Sequence, residues 1–274
     1  MAESTALNVA VFGASGRMGR TLLGLIAAEP EHFRLCGASA APNDPALGQD
    51  ASTLCPALPR GVRVVAEPAA ALSGAQVAID FTLPAATSVH LQACREAGVA
   101  LVLGTTGLSP EAQTLLGETA RSLPVVYARN FSVGVTLLTE LTRLLAERLG
   151  EDYDAEIIEA HHRGKVDAPS GTALALGEAV AQARGKPLAE VGVWARSGQT
   201  GARIPGHVGF AVVRAGSIVG DHTVMFAADE ERLELTHRAT DRGVFARGAL
   251  RAAAWLAERP AGLYDMRHVL GLAG

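Results

Sequence analysis

The stretch that decides the fold is Leu7 to Arg20, which reads L-N-V-A-V-F-G-A-S-G-R-M-G-R. Its apolar part, Leu7 to Phe12, has the composition of a strand, and Arg20 to Ala28 has that of a helix. Between them lies a G-x-x-G-x-x-G turn with glycines at Gly13, Gly16 and Gly19. Glycine lets backbone N–H groups approach a pyrophosphate closely, so strand, glycine turn and helix together indicate a dinucleotide site. A tight turn without a ligand is the alternative.

Further apolar runs of strand length follow in the first half, separated by helical stretches. The strand candidates are Phe33 to Ala38, Val62 to Ala66, Gln76 to Phe81, Ala100 to Leu103 and Val125 to Ala128, and the helices include Ala85 to Ala97 and Pro110 to Arg121. Runs that are apolar throughout are typical of a parallel sheet covered on both faces. We therefore predict an α/β fold whose N-terminal part is a Rossmann-like, doubly wound parallel sheet.

After Asn130 the order of elements changes. A long amphipathic segment, a strand and a helix are followed by strand-like runs with no helix between them, which indicates a mixed or antiparallel sheet. These elements are Val133 to Leu149, Tyr153 to His162, Ala173 to Arg184, Gly209 to Arg214, Ser217 to Phe226 and Arg232 to Ala239, and a last helix is expected at Val244 to Glu258. The second half is therefore predicted to be an α+β domain.

The composition is that of an ordinary globular protein of 274 residues, with 49% hydrophobic and 19% charged residues. A net charge of -4 argues against nucleic acid as the main partner. The sequence has no apolar run long enough for a membrane span and no signal-peptide pattern, so we expect a cytoplasmic protein without a membrane partner. Cys36, Cys55 and Cys94 have neither disulfide nor zinc spacing.

The stretch from Glu159 to Ala173, E-A-H-H-R-G-K-V-D-A-P-S-G-T-A, concentrates reactive side chains on a predicted strand-to-helix loop. Ser170 or Thr172 can cap the helix, and the helix N-terminus with the cationic side chains would hold a carboxylate or phosphate. We expect a site for a small anion. The alternative is a capped helix after an exposed basic loop.

If a nicotinamide lies at the sheet edge, the substrate that receives its hydride also needs a proton from a nearby general acid, and the cluster offers candidates. Histidine titrates near neutrality. Adjacent strand residues face opposite sides, so His161 and His162 are expected to play different roles. The histidine spacing makes a poor zinc site, so no metal is expected, and Ser170 lacks the G-x-S-x-G context of a nucleophile. We expect His32, His90 and His268 to be solvated, whereas His207, His222 and His237 belong to the second-half sheet.

Loops after two later strands should lie at the same sheet edge as the glycine turn, because ligands bind outside the carboxyl ends of parallel strands. These loops are Gly104-Thr105-Thr106-Gly107 and Ala128-Arg129-Asn130-Phe131, and we expect Phe131 to pack beside a nicotinamide. Ser39, Ala40 and Ala41 follow the second strand and supply no acid for a ribose hydroxyl and no arginine for a 2′-phosphate. Arg17 and Arg20 are the cations nearby in sequence.

The motifs together resemble the 4-hydroxy-tetrahydrodipicolinate reductase (dihydrodipicolinate reductase) family. The matching segments occur in family order over the whole chain. They are V-A-V-F-G-A-S-G-R-M-G-R at Val9 to Arg20, D-F-T at Asp80 to Thr82, G-T-T-G at Gly104 to Gly107, N-F-S-V-G-V at Asn130 to Val135, the segment Glu159 to Ala173, and G-S-I-V-G-D-H at Gly216 to His222.

The resemblance implies NAD(P)H-dependent reduction of a small dicarboxylate to tetrahydrodipicolinate in lysine and diaminopimelate biosynthesis. It implies a dinucleotide domain of residues 1–130 with 241–274, a substrate-binding and oligomerisation domain of residues 131–240, hinges near Asn130 and Thr240, and a homotetramer. His161 matches the acid/base histidine, Lys165 the proton donor and His162 a substrate contact, while Ser170, Gly171 and Thr172 match the turn that holds a substrate carboxylate. The implied cofactor contacts are Gly13, Ala14, Ser15, Gly16, Arg17, Met18, Gly104, Thr105, Thr106, Ala128, Arg129, Asn130 and Phe131.

One departure concerns the cofactor. Family members often carry an acid after the second strand, where this chain has Ser39-Ala40-Ala41, so we expect NADPH or dual use in place of strict NADH preference. Other hypotheses stay open. The chain is alternatively a homoserine or aspartate dehydrogenase on the same architecture, or a regulator that binds NAD(P) without catalysis.

Overall fold

The computed structural model describes residues 6–273, which divide into two compact units, one running through Ser132 and resuming at Gly243, the other formed by Val133–Arg242. In chain order, the strands of residues 6–273 are β1 (Leu7–Phe12), β2 (Phe33–Ser39), β3 (Val64–Val65), β4 (Val77–Asp80), β5 (Ala100–Leu103), β6 (Pro124–Tyr127), β7 (Asp154–His161), β8 (Gly192–Val193), β9 (Val208–Arg214), β10 (Gly220–Ala227), β11 (Arg232–Ala239) and β12 (Gly262–Tyr264). The α-helices of the same residues are α1 (Arg17–Ala28), α2 (Pro68–Ala71), α3 (Pro84–Ala97), α4 (Pro110–Ala120), α5 (Val133–Leu149), α6 (Gly171–Ala183), α7 (Leu188–Val191), α8 (Gly243–Leu256) and α9 (Met266–Val269).

The first unit is built on a seven-stranded parallel sheet in the order β12-β6-β5-β4-β1-β2-β3. All residues of β4 and β5 are buried, as the apolar sequence of β5 and that of β4 before its final Asp80 predict. The strand order reverses between β1 and β4, which pair from Val9↔Val77 to Phe12↔Asp80. This is the switch point at which an open α/β sheet binds its ligand. The predicted doubly wound parallel sheet is confirmed.

Some boundaries in this unit differ from the prediction. Helix α1 begins at Arg17 and not at Arg20, because the chain turns at Gly13 (φ +68°) and Gly16 donates to the Gly13 carbonyl. The strand expected from Val62 to Ala66 shortens to β3, because the Val62 carbonyl instead accepts from the amide of Ala51. Gly262–Tyr264, for which no strand was predicted, pairs as β12 beside β6.

The second unit contains a five-stranded mixed sheet in the order β11-β10-β7-β9-β8, as predicted. Strand β10 is antiparallel to β7 and β11, whereas β9 is parallel to β7 and β8. Every second residue of β7 is buried, and α6 packs on that face with Leu176 and Val180 in the core. Strand β10 begins at Gly220 and not at Ser217, because the Gly216 carbonyl accepts from Arg163 in a connecting turn. No helix within residues 6–273 is long and apolar enough to cross a membrane.

Helix α8 packs closely against the loop that follows β6, and Gly248 is the residue of the helix at the point of contact. A Cβ on Gly248 would lie 1.7 Å from the carbonyl oxygen of Phe131, so this close approach requires glycine. We expect Gly248→Ala to lower the free energy of unfolding by about 1–3 kcal/mol, because the helix must move to make room. Urea denaturation checks this. Gly117→Ala in α4 is the control, since a Cβ there meets nothing within 4 Å; a loss equal to that of Gly248→Ala would contradict the packing argument.

Candidate active site

The reactive loop of the second unit connects the end of β7 to the start of α6, as the sequence predicts. Ser170 is the N-cap of α6, and its hydroxyl accepts from the amide of Ala173 at 3.2 Å. The Ser170 side chain is enclosed, with the residue 2% exposed, so its hydroxyl serves the helix. Gly171 and Thr172 form the first turn, where backbone N–H groups have no intrahelical acceptor. A Cβ on Gly171 would meet nothing within 4 Å, so packing does not require the glycine.

Glu159, near the end of β7, contacts several parts of this loop, and its role was not predicted from the sequence. Its carboxylate accepts from Nδ1 of His161 at 2.6 Å and from the amide of Ser170 at 3.0 Å. The guanidinium of Arg214 donates to both carboxylate oxygens at 2.8 Å. The side chain of Glu159 is fully buried. Burial alone would raise the pKa of Glu159, but the hydrogen bonds from Arg214, His161 and Ser170 outweigh it and hold the pKa below its usual range.

The bond to Glu159 determines how His161 can react. Because the carboxylate accepts at Nδ1, the other ring nitrogen, Nε2, is left for a proton transfer. The residue is 9% exposed. A Cβ on Gly220 would come within 3.1 Å of Nε2, so the glycine at the start of β10 keeps space beside it. His161 is therefore a buried imidazole with one ring nitrogen bound to Glu159 and the other facing open space.

His222 on β10 packs against this imidazole. The ring centroids of His161 and His222 are 5.1 Å apart at 73°, and Nε2 of His222 lies 3.0 Å from the Ser170 hydroxyl. Burial, followed by the neighbouring His161, lowers the pKa of His222 to about 4. His222 is therefore neutral at neutral pH. From the sequence, His222 was predicted only to belong to the second-half sheet, since nothing local in the sequence shows that β10 lies beside β7.

The low pKa of His222 makes stability depend on pH. The unfolded chain takes up the proton near pH 6.5 and the folded chain only near pH 4, so between these values the unfolded state binds more protons and stability rises with pH. We expect this residue alone to lower the free energy of unfolding by about 3 kcal/mol as the pH falls across that window. Urea denaturation between pH 4 and 7 should show a shallower slope for His222→Gln. The exposed His32→Gln should keep the wild-type slope, and an unchanged slope in His222→Gln would contradict the assignment.

The remaining predicted residues of the loop lie at its surface. His162 follows the end of β7 and is half-buried, so it differs in environment from His161 as expected. The backbone turns there, with the amide of Lys165 donating to the His162 carbonyl at 3.1 Å. The ammonium of Lys165 lies 2.8 Å from a carboxylate oxygen of Asp167. His161, Lys165 and the start of α6 thus belong to one short loop, with His162 at its beginning.

The glycine turn of the first unit fits a dinucleotide. A Cβ on Gly19 would lie 2.2 Å from the Gly13 carbonyl oxygen, so the glycine lets α1 pack directly on the turn. Gly16, the N-cap of α1, supplies no side chain to the first-turn N–H groups. Arg17 and Met18 begin the helix, and the amide of Ala14 donates to the Ser39 carbonyl. The turn therefore presents the backbone and helix dipole that a pyrophosphate requires.

The other predicted cofactor loops follow β5 and β6 at the same sheet edge. Gly104 allows Phe81 to lie against the backbone, since its Cβ would come within 2.1 Å of that ring. Thr105 is buried and donates to the Thr82 carbonyl at 3.1 Å, whereas Thr106 is exposed. Ala128 donates to the Leu103 carbonyl, Arg129 is exposed, and the Asn130 side chain accepts from the amide of Ser132.

Phe131 departs from its expected role. Its residue is 1% exposed and its ring packs edge-on against Phe81, with centroids 5.3 Å apart. It therefore supports the loop as part of the core and does not offer a ring face to a nicotinamide. The prediction was wrong because the sequence does not show that α8 covers this position.

His90 is another correction. It was expected to be solvated, but it is 7% exposed, stacks on Phe12 with centroids 4.3 Å apart, and has Nδ1 2.7 Å from Asp80. Asp80 also accepts from the amide and hydroxyl of Thr82. The pair braces the loop after β4. The sequence signal that could have identified this pair is an aspartate at the end of a strand, Asp80, followed by a histidine in the next helix, His90.

A cavity of about 550 Å³ lies beside the glycine turn. Gly13, Ser15 and Gly16 line it together with residues of the loops after β2 and β4. It contains an acid that sequence reasoning missed, Asp44, whose carboxylate accepts from the Ser15 hydroxyl at 2.7 Å. Residue order alone does not reveal Asp44, because the chain bends back to the turn after Ala41, with Asn43 at φ +73°.

Within residues 6–273 no group of three or more His, Cys, Asp or Glu side chains is placed to hold a metal ion. Cys36, Cys55 and Cys94 are free thiols.

Two family models match consecutive parts of the chain. The model for dihydrodipicolinate reductase, N-terminus, matches residues 7–131, and that for its C-terminus matches residues 134–270. A 4-hydroxy-tetrahydrodipicolinate reductase from Nitrosomonas eutropha is 50% identical over 98% of this chain and 99% of its own length. The protein of the same name from Thiobacillus denitrificans is 53% identical over 97% of this chain and 99% of its own length. The solved dipicolinate-bound dihydrodipicolinate reductase of Paenisporosarcina sp. TG-14 has the same fold, with a TM-score of 0.74 at 24% identity, covering 95% of this chain and 97% of that chain.

Proposed function

Because the chain belongs to the dihydrodipicolinate reductase family, we propose that its β7-to-α6 loop is the substrate site of an NAD(P)H-dependent enzyme that reduces 4-hydroxy-tetrahydrodipicolinate to tetrahydrodipicolinate in lysine and diaminopimelate biosynthesis. The observation that carries the site assignment is the buried Glu159–His161 pair, which stands at the head of a loop that also contains Lys165 and the N-terminus of α6. This arrangement joins a proton source to a carboxylate site.

The overall conversion replaces a hydroxyl group by hydrogen, so it consumes one hydride and one proton and releases water. The bound nicotinamide supplies the hydride. The residues of the chain have to hold a dicarboxylate, exclude competing water and supply the proton, and a general acid so placed contributes about 10²- to 10⁴-fold to the rate.

The proton roles follow from the contacts of the loop. Nε2 of His161 carries the exchangeable proton, because Nδ1 is held by Glu159. Lys165 is the second donor available for this one proton, and Asp167 keeps its ammonium oriented. His162 donates a hydrogen bond to the substrate from the edge of the loop.

The carboxylate of the substrate is held by the first turn of α6. The N–H groups of Gly171 and Thr172 and the positive end of the helix dipole attract an anion. Ser170 acts indirectly, since its hydroxyl caps the helix and contacts His222. In the first unit, Gly13 to Met18 would hold the pyrophosphate, and the Gly104–Thr106 and Ala128–Phe131 backbones would line the nicotinamide end.

The family resemblance also supports a homotetramer built through the sheets of the second unit and a location in the cytoplasm. Partly exposed apolar residues on that sheet support such an assembly: Val212, Val213 and Leu233 are 37%, 45% and 41% exposed. Sedimentation velocity tests the assembly, and a monomer at micromolar concentration would argue against it.

The activity test follows NAD(P)H oxidation after the freshly made product of dihydrodipicolinate synthase is added. We expect turnover with this substrate and not with aspartate semialdehyde or oxaloacetate plus ammonia. Turnover with one of those instead would favour a homoserine- or aspartate-type dehydrogenase. Cofactor binding without hydride transfer to any of them would favour a regulator.

A further inference from the structure

The cavity beside the glycine turn is lined by residues whose chemistry fits the adenosine half of a dinucleotide. From Gly13 and Ser15 it extends to small apolar residues of neighbouring loops, which offer flat contact to a heteroaromatic ring: Ala40, Pro42, Ala66 and Pro68. Since the pyrophosphate belongs at the glycine turn, the part of the ligand that lies beyond it is the adenosine half. This step rests on the proposed function, because it takes the ligand to be a nicotinamide dinucleotide.

The charges of the lining are negative. Its acidic side chains are Asp44 and Glu67, and no Lys or Arg occurs among the described residues that line it. Arg20 is a nearby cation that interacts electrostatically with Asp44 and donates from Nε to the backbone carbonyl of Ser15 at 2.9 Å, but its side chain does not line the cavity. A 2′-phosphate placed in this cavity would therefore meet carboxylates and no lining cation.

Asp44 is held in a defined orientation. One carboxylate oxygen accepts from the Ser15 hydroxyl at 2.7 Å and the other from the amide of Ala46 at 2.8 Å. Each oxygen can accept a further hydrogen bond. The hydrogen bonds from Ser15 and Ala46 lower the pKa of Asp44, so the group is ionised at neutral pH. The acid that dinucleotide sites usually carry directly after the second strand thus comes here from further along the same loop.

We propose that Asp44, positioned by Ser15, recognises the adenosine ribose hydroxyls and makes this enzyme prefer NADH to NADPH. A ribose hydroxyl donates to the carboxylate, whereas a 2′-phosphate has no proton to donate near neutral pH and is repelled. This reverses the expectation of NADPH or dual use, which considered only Ser39 to Ala41.

The test is a calorimetric or fluorescence titration of NADH and NADPH against the full chain, without substrate. We expect the wild type to bind NADH about tenfold more tightly, the factor that corresponds to one hydrogen bond to a charged group. Asp44→Asn keeps the shape and the acceptor for Ala46 but removes the charge, so the preference should fall by about tenfold, mainly through tighter NADPH binding. The preference of the wild type for NADH should also weaken with added salt, because salt screens the repulsion between Asp44 and the 2′-phosphate. The preference of Asp44→Asn should not depend on salt in this way.

Glu31→Gln removes an exposed charge outside the cavity and should keep the wild-type ratio. Equal or tighter binding of NADPH by the wild type, or an unchanged ratio in Asp44→Asn, would overturn the inference while leaving the reductase activity untouched. A chain that binds neither dinucleotide would overturn the proposed function as well. Circular dichroism of Asp44→Asn separates a local change of charge from unfolding.

Discussion

We expect His161→Gln to lower kcat/KM for the dicarboxylate by about 10²- to 10⁴-fold, because it removes the oriented nitrogen to which we assign the proton transfer. His161 is only 9% exposed, and glutamine is a polar replacement for the imidazole, so we expect the variant to fold. Steady-state rates with NADH and with the product of the synthase measure the effect. Lys165→Met should produce a loss of the same order, since it removes the ammonium beside Asp167.

Comparing the two variants with the double variant reveals how the residues divide the work. If both act in one proton transfer, the double variant is about as slow as the slower single variant, because groups that act as a unit are not additive. Lys186→Met is the control, since this lysine pairs with Glu151 away from the loop. Full activity in both His161→Gln and Lys165→Met would remove the assigned roles.

Glu159→Gln should lower kcat by about 10²-fold, the size of effect that follows when a catalytic group is displaced by a small distance. The amide cannot hold the His161 ring and pair with Arg214 as the carboxylate does. It also leaves the Arg214 guanidinium, 19% exposed, without its counter-charge, so the free energy of unfolding should fall by about 3 kcal/mol. Initial rates and urea denaturation of the same preparation measure both effects, and the affinity for NADH should not change.

Glu156→Gln provides a matched control from the same strand. Glu156 lies on the opposite face of β7 and pairs with Arg196 and Arg203. Loss of the Glu156 charge in this variant should lower the free energy of unfolding without lowering kcat. If Glu159→Gln and Glu156→Gln had the same kcat as the wild type, Glu159 would be a purely structural residue.

The architecture of the first unit was predictable from sequence because its strands are short, apolar and separated by helices. The predicted and observed bounds agree at β1 and β5, and also at α5 of the second unit, where a local pattern determines the element. Prediction failed where the pairing partner determines whether a segment forms a strand. Arg63, directly before β3, pairs with Asp50 and not with the sheet, and β12 is a strand only because it pairs with β6. Register and edge pairing depend on residues far away in the chain.

The sequence by itself determined the parts of the site that are contiguous: the glycine turn at Gly13 to Gly19 and the loop from His161 to Thr172. Their spacing is local, so residue order is enough to identify them. Only the tertiary structure decided which distant groups complete them. Arg214 and His222 reach the loop through the pairing of β9 and β10 with β7, and Asp44 reaches Ser15 through a bend in the loop after β2. The physical reason is that a hydrogen bond or ion pair depends on separation in space, which for residues on different strands is determined by sheet register and loop conformation.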